Sequence, residues 1–212
     1  MTSYAASVAV AGAGIGGLTL ALALSRAGLG GDVYERRLTP SEAGAGIQLG
    51  PNATKVLASL GVLDAVRAYA AAPDGLTIHD GRSGRVLARF PLGDWICRRH
   101  GAPYLTVHRQ DLHRVLREAV AGVPGIAVHG GREVSDYVRD AAGVDVQFAD
   151  GDTARHALLI AASGLWSPLR MRVAGCGPLR SIGKSAYRAV ARRDVLPRGL
   201  APADVHIWLS EK

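Results

Sequence analysis

Cysteine is nearly absent from this 212-residue chain: Cys97 and Cys176 are its two, far apart and in no CxxC pair. That excludes a disulfide framework and a thiolate zinc knuckle, and the cytoplasm is the expected compartment. Lysine is almost as scarce, occurring at 55, 184 and 212, so 22 of the 25 basic residues are arginine and the formal net charge is +7. The arginines are scattered and aromatic residues make up only 5%, so there is no basic stripe with interleaved stacking side chains. Nucleic-acid binding is not expected. A diffuse basic excess suits small anions such as phosphates or carboxylates. The seven histidines show no metal-ligand spacing, and His108 and His113, five apart, do not share a helix face. No metal is expected. Charge is wholly missing from Met1 to Ser25, as in a leader peptide or a membrane span. Yet this start has no Lys or Arg, and Gly12, Gly14, Gly16 and Gly17 interrupt the apolar block, so no membrane association is expected. A Gly-x-Ser-x-Gly elbow is lacking too. Gly183-Lys184-Ser185 fails as a phosphate loop because Pro178 stands where its first glycine belongs.

What is present begins at Ser7. Residues 7–37 read SVAVAGAGIGGLTLALALSRAGLGGDVYERR, an apolar strand, a glycine-rich turn, a helix and a second strand ending in Glu35. In Gly12-x-Gly14-x-x-Gly17 each glycine does something different. Gly12 allows the tight turn, Gly14 the close approach of a pyrophosphate, and Gly17 the packing of helix on sheet. The helix start adds unpaired N–H groups and a partial positive charge. Glu35 falls 21 residues after Gly14, near the ~20 expected of the acid that holds a ribose hydroxyl pair. These residues together predict an adenine dinucleotide site.

Composition, at 48% hydrophobic and 20% charged, is that of a globular protein able to bury one core, or one domain and part of another. A glycine-rich loop from Gly44 to Gly50 leads to a helix begun by Pro51 and Asn52, with Val56, Leu57, Leu60 and Leu63 at helical spacing and Gly61 at its end. Residues 76–90 read as a hairpin around Asp80-Gly81 and Ser83-Gly84. A hairpin breaks the βαβ rhythm and predicts an antiparallel sheet of a second, interleaved domain. The next helix, capped by Asp111, has Leu112, Val115, Leu116, Ala119 and Val120 on one face. Arg109 sits at its amino end, where the macrodipole disfavours a cation and an anionic partner would compensate. Residues 126–128, 145–148 and 157–161 are predicted strands, the last in the middle of a parallel sheet, with a turn at Ala149-Asp150-Gly151-Asp152. Residues 185–191 and 206–209 read as two more.

In this order, GAGIGGL, ERR at 35–37, GAGIQLGPNA, VHRQDLHRVL and LLIAASGLWSPLR at 158–170 resemble the flavin-dependent aromatic hydroxylases, single-component class A flavoprotein monooxygenases similar to para-hydroxybenzoate hydroxylase and salicylate hydroxylase. The resemblance covers essentially the whole chain. It implies an α/β fold, a Rossmann-like FAD/NAD(P)-binding domain (1–72 and 101–178) interleaved with a partial antiparallel substrate-binding sheet (73–100 and 179–212). It implies that Gly12, Gly14, Ile15 and Gly17 cradle the FAD pyrophosphate, that Glu35 holds the adenosine ribose with Arg36 beside it, and that Gly46, Ile47 and Gln48 approach the flavin or substrate. Arg109 would contact FAD, Val134 would touch the adenine through its backbone, and Tyr187 and Arg188 would lie near substrate.

The chemistry implied is NADH- or NADPH-dependent hydroxylation of a phenolic or other aromatic acid by molecular oxygen through a flavin hydroperoxide; no catalytic residue can be named. Ser163 stands where the family has an acid, which predicts weakened nucleotide binding. The segment Gly151-Asp152-Thr153-Ala154-Arg155-His156 lacks the spacing and the proline of the family's second flavin motif, and Lys212 reads as a truncation within the substrate sheet. A homodimer or a complementing carboxy-terminal half is the partner expected. The alternatives are a nucleotide-binding remnant without turnover and another FAD-dependent oxidoreductase, such as an amine oxidase or dehydrogenase, that shares only the opening fingerprint.

Overall fold

Strand β1 (Ser7–Ala11) is SVAVA, with its last four residues buried, a run whose valines suit a pleated surface covered on both faces. In the computed structural model, which describes residues 7–39, 45–175, 177–187, 189, 191–195 and 203–210, β1 leads into helix α1 (Ile15–Arg26) and strand β2 (Gly30–Glu35). β1 and β2 pair in parallel, as a helical crossover requires. The chain continues through β3 (Gly46–Leu49), α2 (Pro51–Ser59), α3 (Leu63–Arg67), β4 (Ala70–Ala71), β5 (Gly75–Asp80), β6 (Val86–Pro91), α4 (Gly93–His100), β7 (Leu105–His108) and α5 (Arg109–Ala121). It then forms β8 (Ile126–Gly130), β9 (Val134–Asp140), β10 (Gly143–Phe148), β11 (Thr153–His156), β12 (Leu158–Ala161), α6 (Leu169–Ala174) and β13 (Asp204–Leu209). Two compact units result, Met1–Glu42 with His113–Ser185 and Ala43–Leu112 with Ala186–Lys212.

The first unit is built on a parallel sheet in the order β12-β1-β2-β8. An antiparallel meander, β11-β10-β9, lies against it, and Ala9, Ala11, Tyr34, Val134, Val146, Phe148 and Leu169 form the core they share. Leu18, Ala21 and Leu22 of α1 are buried, as are Val115, Leu116 and Val120 of α5. A polar seam runs beside that core: His156 Nδ1 is 2.7 Å from Ser7 Oγ, its Nε2 is 2.9 Å from Tyr34 Oη, and His129 Nε2 is 2.6 Å from Asp32 Oδ1. Burial and the Asp32 carboxylate push the Tyr34 phenol up to about 12, while burial pushes the His156 imidazole down.

In the second unit β3-β7-β4 form an antiparallel sheet, and β13-β5-β6 form a sheet in which β5 and β6 are the expected hairpin while β13 joins β5 in parallel. The hairpin turn is tied by the Asp80 carboxylate, which accepts the Ser83 N–H at 2.7 Å. Helix α2 starts with Pro51 at its first turn, a position where a missing N–H costs nothing. Its buried Thr54 hydroxyl donates to the Pro103 carbonyl at 2.7 Å.

Four expectations are corrected. The loop expected from Gly44 to Gly50 carries strand β3 over Gly46–Leu49, because β7 offers it an antiparallel edge to pair with. β12 is an edge strand of the described sheet rather than a central one: an apolar run reports what covers its faces, not how many neighbours hydrogen-bond to it. Asp111 lies within the first turn of α5, which already begins at Arg109, so it is not the cap. No strand forms among the described residues of 185–191, where Tyr187 is fully exposed. A strand-like pattern becomes a strand only where it pairs with a neighbour, and the described residues of 185–191 pair with no strand. The strands at β9 and β11 and helix α4 were not expected at all.

Candidate functional site

The loop between β1 and α1 shows which glycines the surrounding backbone requires and which stand beside open space. Gly12 has φ +108, and a Cβ there would stand 2.7 Å from the Ala162 carbonyl oxygen. At Gly17 a Cβ would lie 1.9 Å from the Gly12 carbonyl oxygen. Both are glycine because the backbone leaves no room. Gly14 differs: its φ is −72 and a Cβ there would meet nothing within 4 Å. The space beside Gly14 is open at the start of α1, which has no side-chain cap and no acidic residue in its first turn. The N–H groups from Ile15 onward therefore face that space without a competing carboxylate, the condition an anion needs.

Glu35 ends β2 beside this loop. Its Oε2 accepts the Ala13 N–H at 2.9 Å and its Oε1 accepts the Arg37 N–H at 3.0 Å, so the carboxylate is fixed by backbone donors and keeps lone pairs for a further hydroxyl. The Arg132 N–H donates to the Glu35 carbonyl at 2.9 Å, which brings the turn before β9 to the same strand end. Val134 opens β9, with its side chain in the core, while the exposed Arg36 follows Glu35. Ser163 follows β12 against Gly12, and its Oγ is 2.6 Å from Ser167 Oγ. Gly12, Gly14, Ile15, Gly17, Glu35, Arg36, Val134 and Ser163 thus all belong to the first unit.

Gly46, Ile47, Gln48 and Arg109 belong to the second. Gly46 pairs with His108, Ile47 with Val107 and Gln48 with Thr106 across β3 and β7, and the Arg109 N–H donates to the Ala45 carbonyl at 3.0 Å. These four share one corner. Tyr187 is also in this unit, and no described strand carries it. Gly44, Cys176 and Arg188 lie outside the described residues. Among the described residues no three His, Cys, Asp or Glu side chains could share a metal ion, and no helix is long and apolar enough to cross a membrane.

Residues 5–188 match the family described as FAD binding domain. The chain belongs to this FAD-binding family. Among curated relatives the chain is similar to 3-hydroxybenzoate 6-hydroxylase 1 of Aquipseudomonas alcaligenes, 37% identical over 205 residues that cover 97% of the chain and 52% of the relative. It is likewise similar to 6-hydroxynicotinate 3-monooxygenase of Bordetella bronchiseptica, 36% identical over 96% of the chain and 52% of the relative. Among solved structures, Klebsiella pneumoniae HpxO complexed with FAD and uric acid is 35% identical with a TM-score of 0.72, over 82% of this chain and 43% of that one. The chain spans about half the length of the curated relatives it matches.

The residues present in the first unit fit FAD: an open cradle at Gly14, an uncapped helix start and a fixed carboxylate at Glu35. Two contacts were not anticipated from sequence. His113 Nε2 lies 2.7 Å from the Ala13 carbonyl oxygen, and Ser167 is the partner of Ser163. The first was in view within VHRQDLHRVL, but spacing along the chain compares His113 only with neighbours such as His108. The loop it touches is 100 residues away.

Proposed function

We propose that this chain holds FAD for an NAD(P)H-dependent monooxygenase that hydroxylates a phenolic or other aromatic acid, acting in the cytoplasm. The observation that carries the reading is the empty space at Gly14 before the uncapped start of α1, with the Glu35 carboxylate immobilised beside it. The N–H groups at the start of α1 bind the pyrophosphate, and Glu35 accepts from the adenosine ribose. Arg36 lies beside the adenosine, and Val134 offers its backbone to the adenine. Gly46, Ile47 and Arg109 are assigned to the flavin, and Gln48, Tyr187 and Arg188 to the substrate. Functional domains of 1–72 with 101–178 and 73–100 with 179–212 are part of the same reading.

When bound, FAD supplies the redox chemistry that carries electrons from NADH or NADPH to molecular oxygen; the protein binds, orients and excludes water. The named relatives act on hydroxylated aromatic acids, 3-hydroxybenzoate and 6-hydroxynicotinate, which supports that substrate class here. A homodimer or a complementing second half is the partner we propose.

Purified protein should carry flavin absorbance and bind added FAD, and an aromatic hydroxy acid should stimulate its oxidation of NADH or NADPH. Protein that binds no FAD sinks the proposal. FAD bound without substrate-stimulated turnover supports the second reading, a nucleotide-binding form. That second reading is favoured by Ser163, an uncharged residue whose Oγ is already engaged by Ser167. Ser163→Asp should therefore tighten flavin and NADH binding by about tenfold, the scale of one charge-assisted hydrogen bond, and unchanged affinities in a binding titration would refute the assignment of that position.

A further inference from the structure

The peptide groups on either side of Ala13 are held by two side chains from distant parts of the first unit. The N–H of Ala13 donates to Glu35 Oε2 at 2.9 Å, and its carbonyl accepts from His113 Nε2 at 2.7 Å. A carbonyl can only accept, so the proton of this contact sits on Nε2 of the imidazole. Backbone bonds fix the positions on both sides: the Gly12 N–H donates to the Tyr34 carbonyl at 2.7 Å and the Leu18 N–H to the Gly14 carbonyl at 2.9 Å. The peptide between Ala13 and Gly14 is trans, and a planar trans peptide carries its N–H on the edge opposite its C=O. By holding the carbonyl toward α5, His113 turns the Gly14 N–H away from α5. That N–H has no partner among the described residues, and it belongs to the one loop glycine with open space where its Cβ would be.

We infer that His113 is a positioning residue for the dinucleotide: it touches no phosphate, but its imidazole aims the Gly14 N–H at the pyrophosphate. This rests on the FAD reading above. Without the tether the peptide can rotate, and its N–H points at the phosphate only part of the time. The loss should fall on ligands that carry a pyrophosphate and leave FMN or riboflavin untouched. Glutamine places its amide nitrogen at nearly the reach of imidazole Nε2 and can donate to the same carbonyl, whereas leucine cannot.

The test uses the full chain and titrates FAD, ADP and FMN against wild type, His113→Leu and His113→Gln, with thermal melts of each protein free of ligand. FAD and ADP binding should weaken about tenfold in His113→Leu, as loss of one positioning hydrogen bond allows. His113→Gln should recover most of it, and both melts should stay near wild type. Unchanged FAD and ADP affinity in His113→Leu overturns the inference while leaving the FAD reading intact. So does a loss that tracks a lowered melt and is not recovered by His113→Gln, since that marks a purely structural role. Wild-type protein that binds neither FAD nor ADP removes the FAD reading itself, and this inference with it.

Discussion

Gly14 and Gly17 are the same residue type three positions apart, yet substitution should act on them in opposite ways. Gly17→Ala drives a methyl into the Gly12 carbonyl, and because backbone cannot swing aside the cost should be about 2–3 kcal/mol of unfolding free energy in urea. Gly14→Ala meets open space at an ordinary φ. Its stability should change by less than about 1 kcal/mol, the scale of an altered helix cap, while FAD binding is lost because the methyl occupies the pyrophosphate's approach. Parallel denaturation and FAD titrations separate the two effects. Glu35 was legible from its distance to Gly14 because a βαβ unit has a nearly fixed length. His113 was not, since the contact that matters to it is closed only when α5 packs beside the loop. Ser163 was legible as an unusual residue, but its occupation by Ser167 was not.

At the scale of elements, the polar seam between the parallel sheet and the meander sets a pH dependence. His156 of β11 bridges Ser7 of β1 and Tyr34 of β2, and burial lowers its tendency to hold a proton. A histidine whose folded value lies below its unfolded one stabilises fully above the ordinary value of about 6.5, and loses that contribution as pH falls below it. Wild-type stability should therefore decline below about pH 6.5, and His156→Gln should flatten that decline in melts taken from pH 8 to pH 5. A slope unchanged by the substitution would place the acid sensitivity elsewhere. The hairpin β5–β6 and the apolar face of α5 were readable from local pattern, as turn chemistry and 3.6-residue periodicity are local properties. β12's place at a sheet edge and the seam itself were not, because they depend on strand pairing between segments more than a hundred residues apart: Tyr34 and His156 are separated by 122.

For the whole molecule the dominant long-range property is its charge. A net +7 carried almost entirely by arginine raises the local concentration of anionic ligands, an effect that salt screens as the Debye length falls from about 30 Å at 0.01 M to about 3 Å at 1 M. The association rate of FAD should fall several-fold across that range in stopped-flow mixing, whereas dissociation, governed by contacts at the glycine loop, should change little. A salt-independent association rate would show that the arginines are surface charge without steering.

Sequence by itself determined the βαβ unit, its glycine-rich turn and the acid that ends its second strand, because each is written in residues close together along the chain, and the order of several such motifs carried the family. Tertiary structure alone decided that Gly12 and Gly17 answer to crowding while Gly14 faces open space, that Ser163 is already engaged, and that His113 grips the loop. Those distinctions depend on which atoms occupy the space around a residue, and that space is filled by segments the chain brings back from far away.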